Sequence, residues 1–365
     1  MPLPQNINDI ISEFAIAGEI ATILILGSGR VNDTYHLQNS DPKAPDYLLQ
    51  RINHQMFRNV PGLMENIARV TEHIKTKLPG TQAEAHSLTI IKLHDGDLYH
   101  KDHYGNYWRM LHFIKGAKSY HKVTNINQAY EGGKALGKFQ AMLADLDTEL
   151  LHHTIPGLHD IVYRLDHLEE AYNNNLAGRA GELSEEFEFI NRREEAMCRI
   201  IQLGDADELP WRITHNDPKF NVLLDEYDHA QCMIDLDTVM PGYVAYDFGE
   251  AIRTMINTAA EDEADPAKID LDIPLFEAYT KGYFEAAGAF LTPMEVQSLM
   301  MGVMLMPFIR LVRFLTNYLN GDIDYKVDHP AHNLQRARAQ MQLIYKLEQH
   351  EQTLHDIIER VASRR

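Results

Sequence analysis

Cysteine is nearly missing from this chain: 365 residues hold two, Cys198 and Cys232. Two cannot build a disulfide framework or a cysteine zinc site, so the sequence reads as cytoplasmic and reduced. Positive charge is also in deficit. Lys and Arg number 34 against 53 Asp and Glu, a net charge of −19. Nucleic-acid affinity comes mainly from cationic contacts to phosphate, so nucleic acid is not expected as a partner. An anionic membrane surface is disfavoured for the same reason. A small anionic ligand is not excluded, because a few local donors can hold one. No apolar run is long enough to cross a bilayer. The longest, Leu299 to Ile309, contains Pro307, is followed by Arg310 and reads as a buried helix. The first apolar stretch is broken by Asp9, Glu13 and Glu19, so a signal peptide is not expected. Internal repeats and low-complexity segments are lacking.

The composition is that of a folded protein, with 45% hydrophobic and 24% charged residues. The length exceeds what one compact core usually holds, so two domains are expected. Helical spacing over 6–20 precedes strand-like runs at 21–26, 34–37 and 47–52. A helix is predicted over 60–77, then strands at 88–93, 97–102 and 107–114, the last two joined by a turn at Gly105-Asn106. After Lys115-Gly116 the character changes, with long helical patterns over 125–146, 160–176 and 183–203. A short β-rich insert follows at 212–214, 222–224 and 232–234, and helices then resume. Thr292-Pro293-Met294-Glu295 spells a capping box with proline at the first helical position. The fold class is therefore α+β: a small antiparallel sheet with an inserted helix over 1–114, then a larger, mainly helical part over 115–365.

The chemistry concentrates in 213–253. His215-Asn216-Asp217-Pro218-Lys219-Phe220-Asn221 is followed by Ile234-Asp235-Leu236-Asp237 and Tyr246-Asp247-Phe248-Gly249. This suits phosphoryl transfer, which needs positioning, a carboxylate near the attacking hydroxyl and oxygen ligands for Mg²⁺. Asp217 can receive the hydroxyl proton. Asn221 and Asp235 offer hard oxygen ligands, and Lys219 can offset charge on the transferring group. A single polar turn between two buried strands would be the bland reading, but a pair of acidic turns, each after a β-like run and before apolar residues, is less so. Gly27-Ser28-Gly29-Arg30-Val31-Asn32 lies between two strands, where backbone N–H groups could cover nucleotide phosphates. A tight hairpin turn is the simpler explanation of a lone Gly-x-Gly, and the place of this one at the start of the small sheet, far upstream of Asp217, adds weight to the phosphate reading. It is neither a Walker A loop nor a dinucleotide fingerprint.

These residues resemble the aminoglycoside-phosphotransferase and choline-kinase branch of the protein-kinase-like fold, and within it the N-acetylhexosamine 1-kinases. The resemblance runs over nearly the whole chain. It is carried by Gly27-x-Gly29-x-x-Asn32, Tyr47 to Asn53, Thr214-His-Asn-Asp217-x-Lys219, Ile234 to Gly242 and Tyr246-Asp-Phe-Gly249. Arg313-Phe-Leu, Tyr318-Leu-x-Gly-Asp322 and His332-Asn-Leu add to it. It implies a two-lobed kinase that uses ATP and Mg²⁺ to phosphorylate a small sugar, N-acetylglucosamine or N-acetylgalactosamine, on its 1-hydroxyl. Asp217 would then be the base, with Lys219 beside it. Asp235 would be the main metal ligand and Asn221 the second. Asp247 would brace the loop. Gly27, Gly29, Asn32 and Gln50 would attend the nucleotide, with Phe113 and Lys115 on the connector at adenine. Arg313, Asp237, Asp324 and Tyr325 would attend the sugar. The chain departs from the family pattern in three places. Gln50 or Arg51 stands where kinases usually carry the ATP lysine. Asn221 follows the base by four residues rather than five. Asp324 replaces an aromatic residue two positions after Gly321-Asp322.

Other features have simpler readings. His152-His153 reads as a surface pair on a helix, and Asp160 with His159 as the start of the next helix. The methionines of 294–306 read as core filler, and the acidic run 261–272 as a solvated loop. Arg310 and Arg313 share one helical face. Buried unpaired they would be costly, so they either pair with acids or face an anionic ligand. Kinases of another small alcohol (glucosamine, an aminoglycoside, choline or homoserine) and a nucleotide-binding pseudokinase remain as alternatives.

Overall fold

A computed structural model describes residues 3–26, 31–80, 86–120 and 122–364. The chain divides into two compact units. The first comprises Met1–Tyr120, Met142–Ile155 and Asn221–Pro241; the second comprises His121–Ala141, Pro156–Phe220 and Gly242–Arg365.

The first unit is built on an antiparallel sheet. Its strands are β1 (Ile20–Ile25), β2 (Asp33–Asn39), β3 (Tyr47–Ile52), β4 (Ile90–Ile91), β5 (His100–Lys101) and β6 (Tyr107–His112). Their order is β1-β2-β3-β6-β4, with β5 on β6. Alternation sorts the side chains. Tyr35, Leu37, Tyr47, Leu49, Trp108 and Met110 share a core with Ile7, Ile10 and Ile11 of helix α1 (Ile7–Ser12) and with Phe14. The other face presents Gln50 opposite Arg109. Helix α2 (Val60–Lys77) packs against the 236–238 turn. A three-stranded sheet, Lys118–Ser119, Val222–Leu224 and Ala230–Met233, completes this unit.

Three expectations changed locally. The helix predicted over 6–20 stops at Ser12, because the chain turns to pair with residues near 92: Ala15 donates to the Lys92 carbonyl and Phe14 bridges Leu93. The strands predicted at 88–93 and 97–102 shrink to two residues each. Asp102 ends the second by accepting the N–H groups of Tyr104 and Asn106 (both 2.9 Å) and the indole of Trp108 (2.9 Å). His152 and His153 lie in coil rather than on a helix, and His152 pairs with Glu65.

The second unit is mainly helical: α3 (Ile126–Leu143), α4 (Ile161–Asn174), α5 (Val244–Met255), α6 (Ile273–Ala287), α7 (Pro293–Leu319) and α8 (His332–Ala362). The pattern predicted over 183–203 is broken into Ser184–Asn191, Glu194–Met197 and Arg199–Asp205. At the first break Arg193 turns back, donating to the Phe189 carbonyl and to Glu348. Asp160 caps α4 through the Tyr163 N–H (3.0 Å), as its position before the helix suggests. The capping box at Thr292 and Glu295 forms as read.

Helix α7 is the centre of this unit, packing on α4, α5 and α8. By length and composition it could cross a membrane, yet most of its apolar stretch is buried in the unit, as expected of a core helix. Its contact with α5 is close because Gly302 lies over the Ala245 carbonyl and Gly249 lies over the Gly302 carbonyl. A Cβ at either would come within 2.0 to 2.2 Å of backbone oxygen. The acidic run 261–272 is not simply solvated. Glu261 pairs with Arg253, Asp262 with His332, Glu263 with Lys268 and Asp270 with Lys346.

Candidate active site

In the second unit the segment 214–220 leaves the short strand Arg212–Thr214 and turns at Asn216, whose φ is +65°. Asparagine tolerates this left-handed geometry because its side chain bonds locally, here to the Thr214 carbonyl. Asp247, in the first turn of α5 and fully buried, holds the loop. Its two oxygens accept the N–H groups of His215 (2.9 Å) and Asn216 (2.6 Å), and Oδ2 also accepts Nε2 of Gln140 (2.8 Å). Tyr283 donates to Gln140 in turn (2.6 Å). Burial pushes the Asp247 carboxyl up, and these N–H donors oppose that. From the other side His159 approaches the Asn216 carbonyl at 2.7 Å. A carbonyl only accepts, so Nε2 carries the proton. Burial lowers the pKa of His159 to about 4, which keeps the ring neutral.

This clamp places Asp217, whose side chain is 26% exposed, between two cations. Lys219 Nζ lies 3.0 Å from Oδ2 and Arg310 Nη2 lies 3.3 Å from Oδ1. Arg310 is held by Glu250 (2.8 Å), which also binds Arg253 through both oxygens (2.7 and 2.9 Å). Burial by itself would raise the Glu250 carboxyl. Arg253 and Arg310 outweigh it and hold Glu250 well below the usual range, so it stays ionised. Arg310 resolves the choice left open by its sequence position: it pairs with acids. Arg313, one turn on, makes no ion pair among the described residues and sits over the Tyr325 ring at 5.8 Å. Asp324 is fixed by Asn317, which it contacts through Oδ2 (2.7 Å) and its own N–H (3.0 Å).

The first unit holds a different group. Asn221 and Asp235 come together, with Asn221 Nδ2 3.4 Å from Asp235 Oδ2. The Ile234 N–H donates to the Asn221 carbonyl at 2.9 Å, tying the two segments. Asp235 is exposed and left-handed, φ +64° and ψ +49°. A strained backbone at an exposed carboxylate is a feature of functional turns. A carboxylate beside a carboxamide oxygen is a donor set that fits a hard divalent cation such as Mg²⁺.

Asp237, two residues on, behaves otherwise. It is 2% exposed, pairs with Arg109, and accepts Asn32 Nδ2 at 2.6 Å. Both oxygens of Asp237 are committed inside the unit, where it ties the 235–238 turn to the sheet. Asn32 accepts the Asn53 N–H at 2.9 Å with its other end. Gln50 accepts Arg109 Nε (2.9 Å) and donates to Thr34 (3.0 Å). Arg51 pairs with Asp33 across the strand. Phe113 stacks on His36 at 3.9 Å, and its N–H donates to the Asp46 carbonyl. Lys115 pairs with Asp46 at 3.0 Å. Gly27 and Gly29 lie outside the described residues.

Arg109 was not singled out by the sequence reading. Its signal was available: a lone arginine in the apolar strand Tyr-Trp-Arg-Met-Leu-His, on the face that also presents Gln50. Glu250, three residues after Asp247, was equally legible only as an acid on an amphipathic helix.

The profile described as the phosphotransferase enzyme family matches residues 22–287. The chain belongs to that family. Solved structures with the same fold include an aminoglycoside phosphotransferase from Alicyclobacillus acidocaldarius, 13% identical, covering 99% of this chain and 97% of that one at a TM-score of 0.61. An amicoumacin kinase in complex with AMP-PNP and Ca²⁺ is 12% identical over 94% of this chain and 93% of its own, TM-score 0.59. An ethanolamine kinase from Plasmodium vivax is 13% identical over 89% and 83%, TM-score 0.54. The fold is thus α+β and kinase-like, with an antiparallel sheet in the N-terminal region and mostly helices in the C-terminal region.

Proposed function

We propose that this phosphotransferase is an ATP- and Mg²⁺-dependent small-molecule kinase acting in the cytoplasm on the anomeric hydroxyl of an N-acetylhexosamine. The observation that carries the reading is the placement of Asp217, a partly exposed carboxylate between Lys219 and Arg310 on a loop clamped by buried Asp247. In this reading the Asp217 carboxylate takes the proton of the acceptor hydroxyl, whose oxygen bonds to the γ-phosphorus as the bond to ADP breaks. An anomeric hydroxyl is more acidic than an ordinary alcohol, so an aspartate suffices as base. Lys219 and Arg310 offset negative charge as it gathers on the transferring group. Asp235 and Asn221 would hold the magnesium ion, which neutralises charge on the nucleotide phosphates. Similarity to kinases, one of them solved with AMP-PNP, supports ATP as the donor. The sugar assignment rests on the sequence resemblance to N-acetylhexosamine 1-kinases.

The test is a coupled ADP-release assay with ATP and Mg²⁺ against N-acetylglucosamine, N-acetylgalactosamine, glucosamine, galactose, choline, homoserine and kanamycin, with NMR of the product. Phosphate on C1 of an N-acetylhexosamine is the expected result. Turnover confined to choline, homoserine or kanamycin would replace the sugar reading. Nucleotide binding with no turnover of any acceptor would turn the reading toward a pseudokinase.

A further inference from the structure

Helices α4 and α7 bring Arg164, Arg310 and Arg313 into one electrostatic neighbourhood in the second unit. Arg310 has its acids, Glu250 and Asp217. Arg253 has Glu250 and Glu261. Arg164 and Arg313 have none among the described residues. Arg164 packs over the Tyr163 ring at 5.3 Å and gives one N–H to the Leu158 carbonyl at 3.3 Å. Its Nε is buried without an acceptor. Two more buried polar atoms beside these arginines lack partners: the Tyr325 hydroxyl, whose ring lies under Arg313, and Nδ1 of His159, a residue 5% exposed. With its proton on Nε2, His159 offers a lone pair at Nδ1.

Half-buried guanidinium groups with no counter-charge are costly. Here they occur in a chain with 53 acidic residues, so the lack of a counter-charge is not for want of carboxylates. Burial and the Arg313 charge depress even Arg164, to about 10, the mark of a cation held without its anion. Arrangements of this kind persist where a ligand supplies the missing group.

We propose that Arg164 and Arg313 form an anion-holding subsite for the acceptor, so that the substrate is an N-acetylhexosamine that also bears a carboxylate or a sulfate. The Tyr325 hydroxyl and His159 Nδ1 then bond its hydroxyl groups. This rests on the sugar-kinase reading above and narrows it. It also disfavours cationic acceptors such as choline or an aminoglycoside, which would meet two unneutralised arginines.

The test separates binding from turnover. Calorimetry without nucleotide compares N-acetylmuramic acid, N-acetylglucosamine 6-sulfate, N-acetylglucosamine and glucosamine on the full chain. At least one anionic sugar should bind ten-fold or more tightly than N-acetylglucosamine, and which one does distinguishes carboxylate from sulfate. Arg164→Gln and, separately, Arg313→Gln should bring that preference within two-fold, with melting curves and AMP-PNP affinity unchanged. Arg164→Lys should retain part of it. Equal binding of neutral and anionic sugars, no binding of either anion, tighter binding of glucosamine, or a preference that survives both substitutions would overturn the proposal. The ADP-release assay on the same four sugars answers the other question. An anionic sugar bound through Arg164 but never phosphorylated would leave the subsite standing and remove the sugar-kinase reading.

Discussion

Glu250→Gln probes the charge network behind the candidate base. Glu250 is fully buried and its carboxylate bridges two guanidinium groups, Oε1 accepting from both Arg253 and Arg310 and Oε2 from Arg253. Glutamine keeps the shape but removes the charge, and its NH₂ must face a donor. Arg253 retains Glu261 at 2.9 Å and Arg310 retains Asp217 at 3.3 Å, so neither cation is left alone. Removing one partner of a buried pair costs about 3–5 kcal/mol. The remaining partners put this case near the lower end, about 3 kcal/mol. At roughly 2–4 °C per kcal/mol for a unit of this size, the melting temperature should fall by roughly 6–12 °C. Urea unfolding at neutral pH followed by circular dichroism measures the loss, and calorimetry the shift. The pH dependence has a definite sign. Arg253 and Arg310 hold Glu250 below its ordinary value of 4.5, against the effect of burial. Its contribution is therefore complete above pH 4.5 and lost as the pH falls through its depressed folded-state value. The gap between wild type and variant should stay constant down to about pH 4.5, narrow as the pH falls from there toward the folded-state value, and level off below it. A loss under about 1 kcal/mol, or a gap that widens with acid, would refute the ion-pair account.

Asp217→Asn should lower kcat by about 10²- to 10⁴-fold with AMP-PNP affinity nearly unchanged; steady-state kinetics and calorimetry read the two, and retained turnover would remove Asp217 as base. Asp235→Ala should instead weaken Mg²⁺-dependent nucleotide binding, so that titrations with and without the metal converge. Gly302→Ala should destabilise by about 1–3 kcal/mol in urea unfolding, since its Cβ would meet the Ala245 carbonyl. Arg109→Met leaves Asp237 buried without its cation and should cost about 3–5 kcal/mol, whereas Gln50→Ala removes one neutral side chain and should cost about 1 kcal/mol. Equal losses for those two variants would contradict the role given to Arg109.

Local signals carried much of the first unit. The strand over Tyr47–Ile52 and the helix over Val60–Lys77 were read to the residue. In the structure Asn59 caps that helix by accepting the Gly62 N–H, a start signal that the sequence reading did not use. Residues 13–20 misled because their apolar spacing suits a helix, while the partner that makes them extended, near residue 92, lies far along the chain. The break near Arg193 was hidden for the same reason: Glu348 is its partner.

What the amino-acid order determined unaided was chemistry that travels with a motif. The succession of acid, lysine and asparagine at Asp217, Lys219 and Asn221, the later Asp235, and the capping box at Thr292 were all readable, because spacing along the chain sets which groups a turn can present. Tertiary structure alone decided how identical residue types divide their tasks. Asp235 is exposed while Asp237 is sealed against Arg109; Arg310 is neutralised, while Arg313 and Arg164 have no acid among the described residues. Those differences rest on contacts between segments 60 to more than 120 residues apart. A charge is fixed in sequence, but its burial, its counter-ion and its freedom to meet a ligand belong to the packing around it.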